Sequence, residues 1–316
     1  MNKKTIFAFP GQGSQFLGMG RSVFDNYQVS KDVFLEVNDA LNYNLSDIIF
    51  GNDIEKLTLT NNTQPALMCV SIAVLKAIEE EMGKKIEDLC SIVCGHSLGE
   101  YSALCASGAI SLSDTTRILA IRGNAMNNSA PNGTGGMAAI LGATDQQILT
   151  LLKDSRIDGE VLVIANNNSC GQTVISGSIA SINKSIEVAK FLGIKRAIKL
   201  PVSGPFHSPL MYKAKEEMQI ALNDIKIVKP KIPVIANYTA EATSDPEEIR
   251  NLLVQQITGA VRWRESITYA ENIGYTRLFE IGAGTILNGL TKRISSNINA
   301  LSIETKDEII ANKRML

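Results

Sequence analysis

The segment Gly95-His96-Ser97-Leu98-Gly99 sets a serine between two glycines. It comes directly after an apolar run, Ile92–Cys94, and directly before a helix-like stretch, EYSALCASGA. A serine on so sharp a strand-to-helix turn projects its hydroxyl above the end of a sheet, and small residues flank it because the backbone crowds there. The five-residue pattern alone is loose, and an ordinary tight turn whose serine caps a helix would also produce it. The strand before and the helix after favour a nucleophile. Such a hydroxyl needs a base, and the chain holds only two histidines, His96 and His207. His96 adjoins Ser97, where neighbouring side chains diverge. His207, in SGPFHSPLM, follows a strand end, the place where loops carry catalytic groups in α/β sheets. His207 is therefore the expected base. No aspartate stands out as the group that fixes the imidazole tautomer; Gln256 and Asn237 are the candidates.

Acyl chemistry at such a serine also needs backbone N–H groups for the oxyanion. Leu98, the residue after the nucleophile, should supply one, and a loop after a neighbouring strand, FPGQGSQ, the other. That loop lacks the third glycine and the later acid of a dinucleotide site. Two arginines, Arg117 and Arg122, lie on the helix after the elbow helix. A solvated helix face is the ordinary reading. Their small and apolar neighbours would also let one of them point inward, and a buried guanidinium would take a substrate carboxylate bidentately.

The elements that must hold these residues follow an α/β pattern. Strands are expected at 4–9, 90–94, 233–237 and 277–282. Helices are expected at 63–82, with Pro65 in its first turn, at 98–107, at 113–128 with Ser113 as N-cap, and at 208–225, 246–258, 266–274 and 283–294. This alternation predicts a parallel sheet flanked by helices. Between them, strands at 136–142, 160–166, 172–178 and 195–202 and helices at 144–155 and 179–193 give the order β-α-β-β-α-β. A small domain, 130–203, is thus expected inside a larger one built from 1–129 and 204–316, with PNGTGG (131–136) and SGP (203–205) as its connections. The tail past Ile294 suggests no role.

Composition narrows the function. With 316 residues and 45% apolar content the chain can bury a large core. Its 31 basic and 32 acidic residues leave a formal net charge of −1, which offers no field for nucleic acid or an anionic membrane. The N-terminal apolar run is cut by Pro10 and is too short for a signal segment, and no window approaches a membrane span. Five cysteines, Cys69, Cys90, Cys94, Cys105 and Cys170, with two histidines make no zinc set. Cys90 and Cys94 read as buried small residues of one strand. The expectation is a cytoplasmic protein.

The motifs FPGQGSQ, TQPAL, GHSLGEYSAL, RG…M, GTGGMAAI, NNNSCGQTVISG, PFHSPLM and GLTKRI occur in this order along nearly the whole chain. With them the sequence closely resembles the malonyl-CoA:acyl carrier protein transacylases of bacterial type II fatty acid synthesis. It is also similar to the acyltransferase domains of polyketide synthases. The resemblance implies a hydrolase-like α/β domain with an inserted ferredoxin-like domain. It implies Ser97 as the acylated nucleophile, His207 as base, and a carbonyl of Gln256 orienting His207. Gln12 and Leu98 would form the oxyanion hole, and Arg122 would clamp the malonyl carboxylate with Met126 lining the pocket. Asn166 and Asn168 would belong to an asparagine loop near the site, and Lys195 and Arg196 would face thioester phosphates or the acidic carrier. Malonyl-CoA would be the substrate and acyl carrier protein the partner, with no bound cofactor, no metal, and a monomeric chain. Three positions depart from the family pattern: Cys170 where proline is usual, GAVRW (259–263) in place of Asn-Pro-Val-x-Trp, and Phe206 where some members carry serine. The bulk of Phe206 favours malonyl over methylmalonyl groups. A thioester hydrolase of the same fold, a stand-alone polyketide acyltransferase and a non-catalytic carrier-binding subunit are the competing readings.

Overall fold

The computed structural model describes residues 4–131 and 133–316. The sequence-based readings of the first three residues and of Asn132, within the glycine-rich connection, lie outside that range. The strands in chain order are β1 (Thr5–Phe9), β2 (Ile92–Gly95), β3 (Gly135–Leu141), β4 (Leu162–Ser169), β5 (Gln172–Ser178), β6 (Arg196–Lys199), β7 (Val234–Ile235), β8 (Ala242–Thr243), β9 (Arg277–Ile281) and β10 (Asn299–Ile303). They form two sheets. The larger has the order β10-β9-β1-β2-β7-β8 and is parallel except for β8, which pairs antiparallel to β7 at one edge.

β1 is buried along its whole length because helices cover both faces of the sheet. Its alternate residues serve different cores. Phe7 and Phe9 join one with the long helix Thr60–Met82 and the helix Leu112–Asn128. Ile6 and Ala8 join another with Trp263 and Leu287. The helix Thr60–Met82 is buried nearly all round, as its apolar sequence requires.

The smaller sheet has the order β4-β5-β3-β6 and is antiparallel throughout. The helices Asp145–Asp154 and Ile179–Phe191 belong to it. Alternation again divides its side chains. Ala138, Ile140 and Ile175 form a core with these two helices, whereas Met137, Ala165 and Val174 join the main core. A single parallel bridge, Asn166 with Val261, ties β4 to the larger unit, reinforced by bonds from Asn167 N–H to Val261 O and from Val261 N–H to Ala165 O.

Several boundaries differ from expectation. Helix 63–82 begins at Thr60, so Pro65 stands past the first turn. The helix expected from 113 starts at Leu112, capped by Ser111, whose hydroxyl accepts from Asp114 N–H; Ser113 instead donates to Glu36. Cys90 is buried but precedes β2. Four helices, Arg21–Asn26, Gln28–Leu41, Leu45–Ile49 and Ile54–Thr58, fill a stretch whose pattern gave no assignment. The tail left unassigned supplies β10 and the helix Lys306–Asn312, whose Thr305 and Glu308 form a capping box.

Candidate active site

Ser97 sits between β2 and the helix Leu98–Ala106 with φ 54° and ψ −108°. That is strained backbone for a residue with a Cβ. The two glycines beside it are sterically required. A Cβ on Gly95 would stand 1.9 Å from Gly99 O, and one on Gly99 would stand 2.2 Å from Phe9 O. Asn237, just past β7, braces the turn from both sides. Its Oδ1 accepts from Ser97 N–H at 2.7 Å and its Nδ2 donates to Gly95 O at 2.7 Å.

His207 also holds a positive φ, 55°. Its Nε2 lies 2.8 Å from Ser97 Oγ, and its Nδ1 lies 2.8 Å from the main-chain oxygen of Gln256. A carbonyl can only accept, so Nδ1 carries the proton and Nε2 is left free to take one. The orienting group is thus a main-chain carbonyl, and Asn237, the other candidate for that task, contacts the elbow instead. Burial holds the imidazole pKa down to about 3, aided by the charge of Arg122 and opposed by the Gln256 carbonyl. His96 points elsewhere, with its Nε2 2.8 Å from Asn168 Oδ1, and burial lowers its pKa as well.

Arg122 is the inward arginine, only 1% exposed, whereas Arg117 lies outside and pairs with Asp114. Nη1 of Arg122 donates to Gln64 Oε1 at 2.8 Å. Nη2 donates to Gln256 Oε1 at 2.8 Å and to Ser97 Oγ at 3.0 Å. Its Nε has no hydrogen-bond partner among the described residues, and its guanidinium lies 5.3 Å from the Tyr101 ring centre. Every acceptor it has found is neutral. A buried guanidinium in that condition is suited to an anion.

These groups line a cavity of about 120 Å³ together with Gln12, Leu98, Met126, Met137, Asn166, Leu200, Val202 and Phe206. The larger unit supplies the reactive groups, and the smaller sheet supplies Met137, Asn166 and the chain following β6. The amides of Gln12 and Leu98 have no hydrogen-bond acceptor among the described residues, so both can serve an oxyanion. Met126 accepts a weak bond from Gln64 Nε2 at 3.9 Å. Asn168 stands behind His96, in an adjoining hollow that also contains Asn166. Lys195 and Arg196 are not brought into the cavity. Both are exposed at the far end of β6, and Arg196 lies about 13 Å along the strand from Leu200. A separate surface hollow of about 680 Å³ lies between Val29, Ile72 and Val228 and contains none of these residues.

Residues 6–302 match the family model described as acyl transferase domain. The chain belongs to the acyl transferase family. A relative from Bacillus subtilis named malonyl CoA-acyl carrier protein transacylase is 40% identical over 306 residues, covering 97% of this chain and 95% of the relative. The crystal structure of acyl-carrier-protein-S-malonyltransferase from Bartonella henselae superposes with a TM-score of 0.95 at 47% identity, covering 99% of each chain. A further family member, a malonyl-transacylase in complex with a type II PKS acyl-carrier protein, has a TM-score of 0.94 at 35% identity, covering 99% of this chain and 100% of that one.

Sequence reasoning passed over two residues of the site. Gln64, in TQPAL, holds Arg122 and touches Met126. Glu100, in GHSLGE, is only 2% exposed. It accepts from Gln256 Nε2 at 2.7 Å and from Asn237 N–H at 2.9 Å. Burial pushes its pKa up to about 7, opposed by those two bonds and by Arg122. The available signal was a carboxylate in the first turn of a mostly apolar helix.

Proposed function

We propose that this acyltransferase moves a malonyl group from malonyl-CoA to the phosphopantetheine thiol of an acyl carrier protein, through an ester on Ser97, and so supplies fatty acid elongation. The observation that carries this reading is Arg122: a buried guanidinium with only neutral partners, in hydrogen-bond contact with the hydroxyl that would be acylated. A diacid satisfies it; an acetyl group leaves it unpaired.

In the first half-reaction Ser97 Oγ attacks the thioester carbonyl carbon while its proton passes to His207 Nε2. The amides of Gln12 and Leu98 receive the oxyanion. Collapse breaks the carbon–sulfur bond, and the CoA thiolate leaves with the proton from His207. In the second half the carrier thiol gives its proton to His207 and attacks the ester carbonyl, and Ser97 recovers its proton on leaving. The malonyl carboxylate beside Arg122 also offsets part of the charge that depresses His207, so the base strengthens when the right substrate is bound.

The reading extends to the small sheet, Lys195 and Arg196. Its strand order and its separate core support a ferredoxin-like unit, 130–203, inserted in a hydrolase-like unit of 1–129 and 204–316. The exposed cations on the outer strand β6 suit an acidic carrier or thioester phosphates. We place the reaction in the cytoplasm, catalysed by a monomer without cofactor or metal. Among the described residues no cluster could hold a metal ion and no helix is long and apolar enough to cross a membrane.

Intact-mass spectrometry after mixing with malonyl-CoA tests the proposal. The expected result is one malonyl adduct, absent in Ser97→Ala and discharged by holo carrier protein rather than by water. A chain that stays unmodified would overturn it.

A further inference from the structure

The mechanism leaves the buried carboxyl of Glu100 unused. We propose that Glu100 is a proton-linked positioning residue: it takes up a proton from solvent when a diacid's carboxylate settles beside Arg122, so malonyl binding weakens as pH rises. This rests on the reading of the cavity as a malonyl pocket.

The geometry puts the carboxyl and the guanidinium one amide apart. Glu100 Oε2 accepts from Gln256 Nε2 at 2.7 Å, and Gln256 Oε1 accepts from Arg122 Nη2 at 2.8 Å. The same Gln256 offers its main-chain oxygen to His207 Nδ1, and its Nε2 also donates to Ser97 O at 3.0 Å. Glu100 therefore fixes the orientation of the side-chain amide that joins the nucleophile's backbone to the clamp, on the residue whose main-chain oxygen holds the base. Asn237, which donates its N–H to Glu100, holds the elbow as well.

Among the described residues, the groups facing Glu100 leave Arg122 as its only charged neighbour. Tyr101 on its own helix and the Cys94 thiol on β2 both have pKa values raised by burial and stay neutral. Asn237 and Gln256 contribute amides, and His207 is held neutral. An ionised Glu100 and an incoming carboxylate thus compete for one guanidinium in a dry pocket, and one of the two must be destabilised. Burial already brings Glu100 to about 7, so a proton is within reach near neutrality. Protonation at Oε1 leaves Oε2 as acceptor for both of its bonds, so the positioning survives in either state.

The sign follows. The diacid prefers neutral Glu100, so its binding raises the pKa of Glu100 and draws in a proton. Apparent affinity is greatest below pH 7, falls as pH rises through the free-state pKa, and levels off above that of the complex. Glu100→Gln imitates the protonated form and should abolish the dependence.

Full-length Ser97→Ala protein, titrated calorimetrically with malonyl-pantetheine at pH 7 in two buffers of different ionisation heat, reads the proton directly. This probe carries no phosphate to titrate. Net proton uptake is expected, with affinity falling about tenfold between pH 6 and 8.5, the equivalent of one pKa unit. The Ser97→Ala, Glu100→Gln protein should bind without uptake and with flat affinity. Zero uptake by Ser97→Ala, or an equal pH slope in both proteins, overturns the proposal; the first result decides even if the double variant does not fold. The half-saturation of wild-type acylation by the same probe, followed over the same pH range, gives a second reading. Wild-type protein that is acylated without proton linkage sinks only this inference, whereas protein that neither binds nor is acylated sinks the malonyl reading with it.

Discussion

Replacing Arg122 with alanine should turn a diacid-selective pocket into one that treats malonyl and acetyl groups nearly alike. The guanidinium is 1% exposed and donates to no carboxylate, so a substrate carboxylate within reach can pair with it directly, and Glu100, one amide away, opposes that pairing only while it is ionised. At ~4 Å and an effective dielectric of ~20 the attraction is about 4 kcal/mol. Stripping water from the carboxylate offsets part of this, and breaking such a buried pair typically costs ~3–5 kcal/mol. A net ~2–4 kcal/mol corresponds to a roughly 30- to 1000-fold fall in the malonyl-to-acetyl ratio of acylation rates. The assay is single-turnover acylation of Ser97 by malonyl-CoA and acetyl-CoA, read as adduct mass against time. Because the ratio is taken within one variant, any loss of stability from the unpaired Gln64 and Gln256 oxygens cancels. An unchanged ratio would refute the argument, because it would mean that no carboxylate reaches the guanidinium.

Gly99→Ala should cost several kcal/mol, among the largest effects of a single substitution, because its Cβ would sit 2.2 Å from Phe9 O; a thermal melt reads it, and a near-native melting temperature contradicts the crowding argument. Asn237→Ala should slow acylation far more than it lowers the melting temperature, because its two bonds to the Ser97 turn are lost; equal effects would make Asn237 merely structural. The His207 pKa is about 3 in the folded chain and about 6.5 when unfolded. The unfolded state therefore binds the extra proton in between, and stability should fall as pH drops through that window. His207→Gln should flatten this dependence in denaturant midpoints taken from pH 7 to 4, and an unchanged slope would assign it to other groups.

Ser97 and His207 were legible because the sequence offers few alternatives: one elbow pattern and one histidine not adjacent to it. Gly95 and Gly99 were legible for the same steric reason that the structure displays. Gln64 and Glu100 were not. A glutamine at the start of an apolar helix and a glutamate one turn past a serine carry no periodic signal, and each matters only through a partner more than fifty residues away. Ser113 was mistaken for a cap because Ser111, Ser113 and Asp114 lie within four positions and any could begin a helix; local geometry selects Ser111. β10 was missed because NALSI is short and mixed in polarity, and its place beside β9 is set by the sheet.

Sequence alone determined which residues could do chemistry and the alternation of strands and helices that would carry them. Apolar periodicity, glycine crowding and capping are properties of neighbours along the chain. The tertiary structure decided what those residues mean to one another: that a main-chain carbonyl of Gln256 orients His207, that Arg122 turns inward while Arg117 does not, and that Glu100 lies one amide from the guanidinium. Those relations join segments 25 to 156 residues apart, and they are fixed by burial and by packing of the two sheets, which no local pattern encodes.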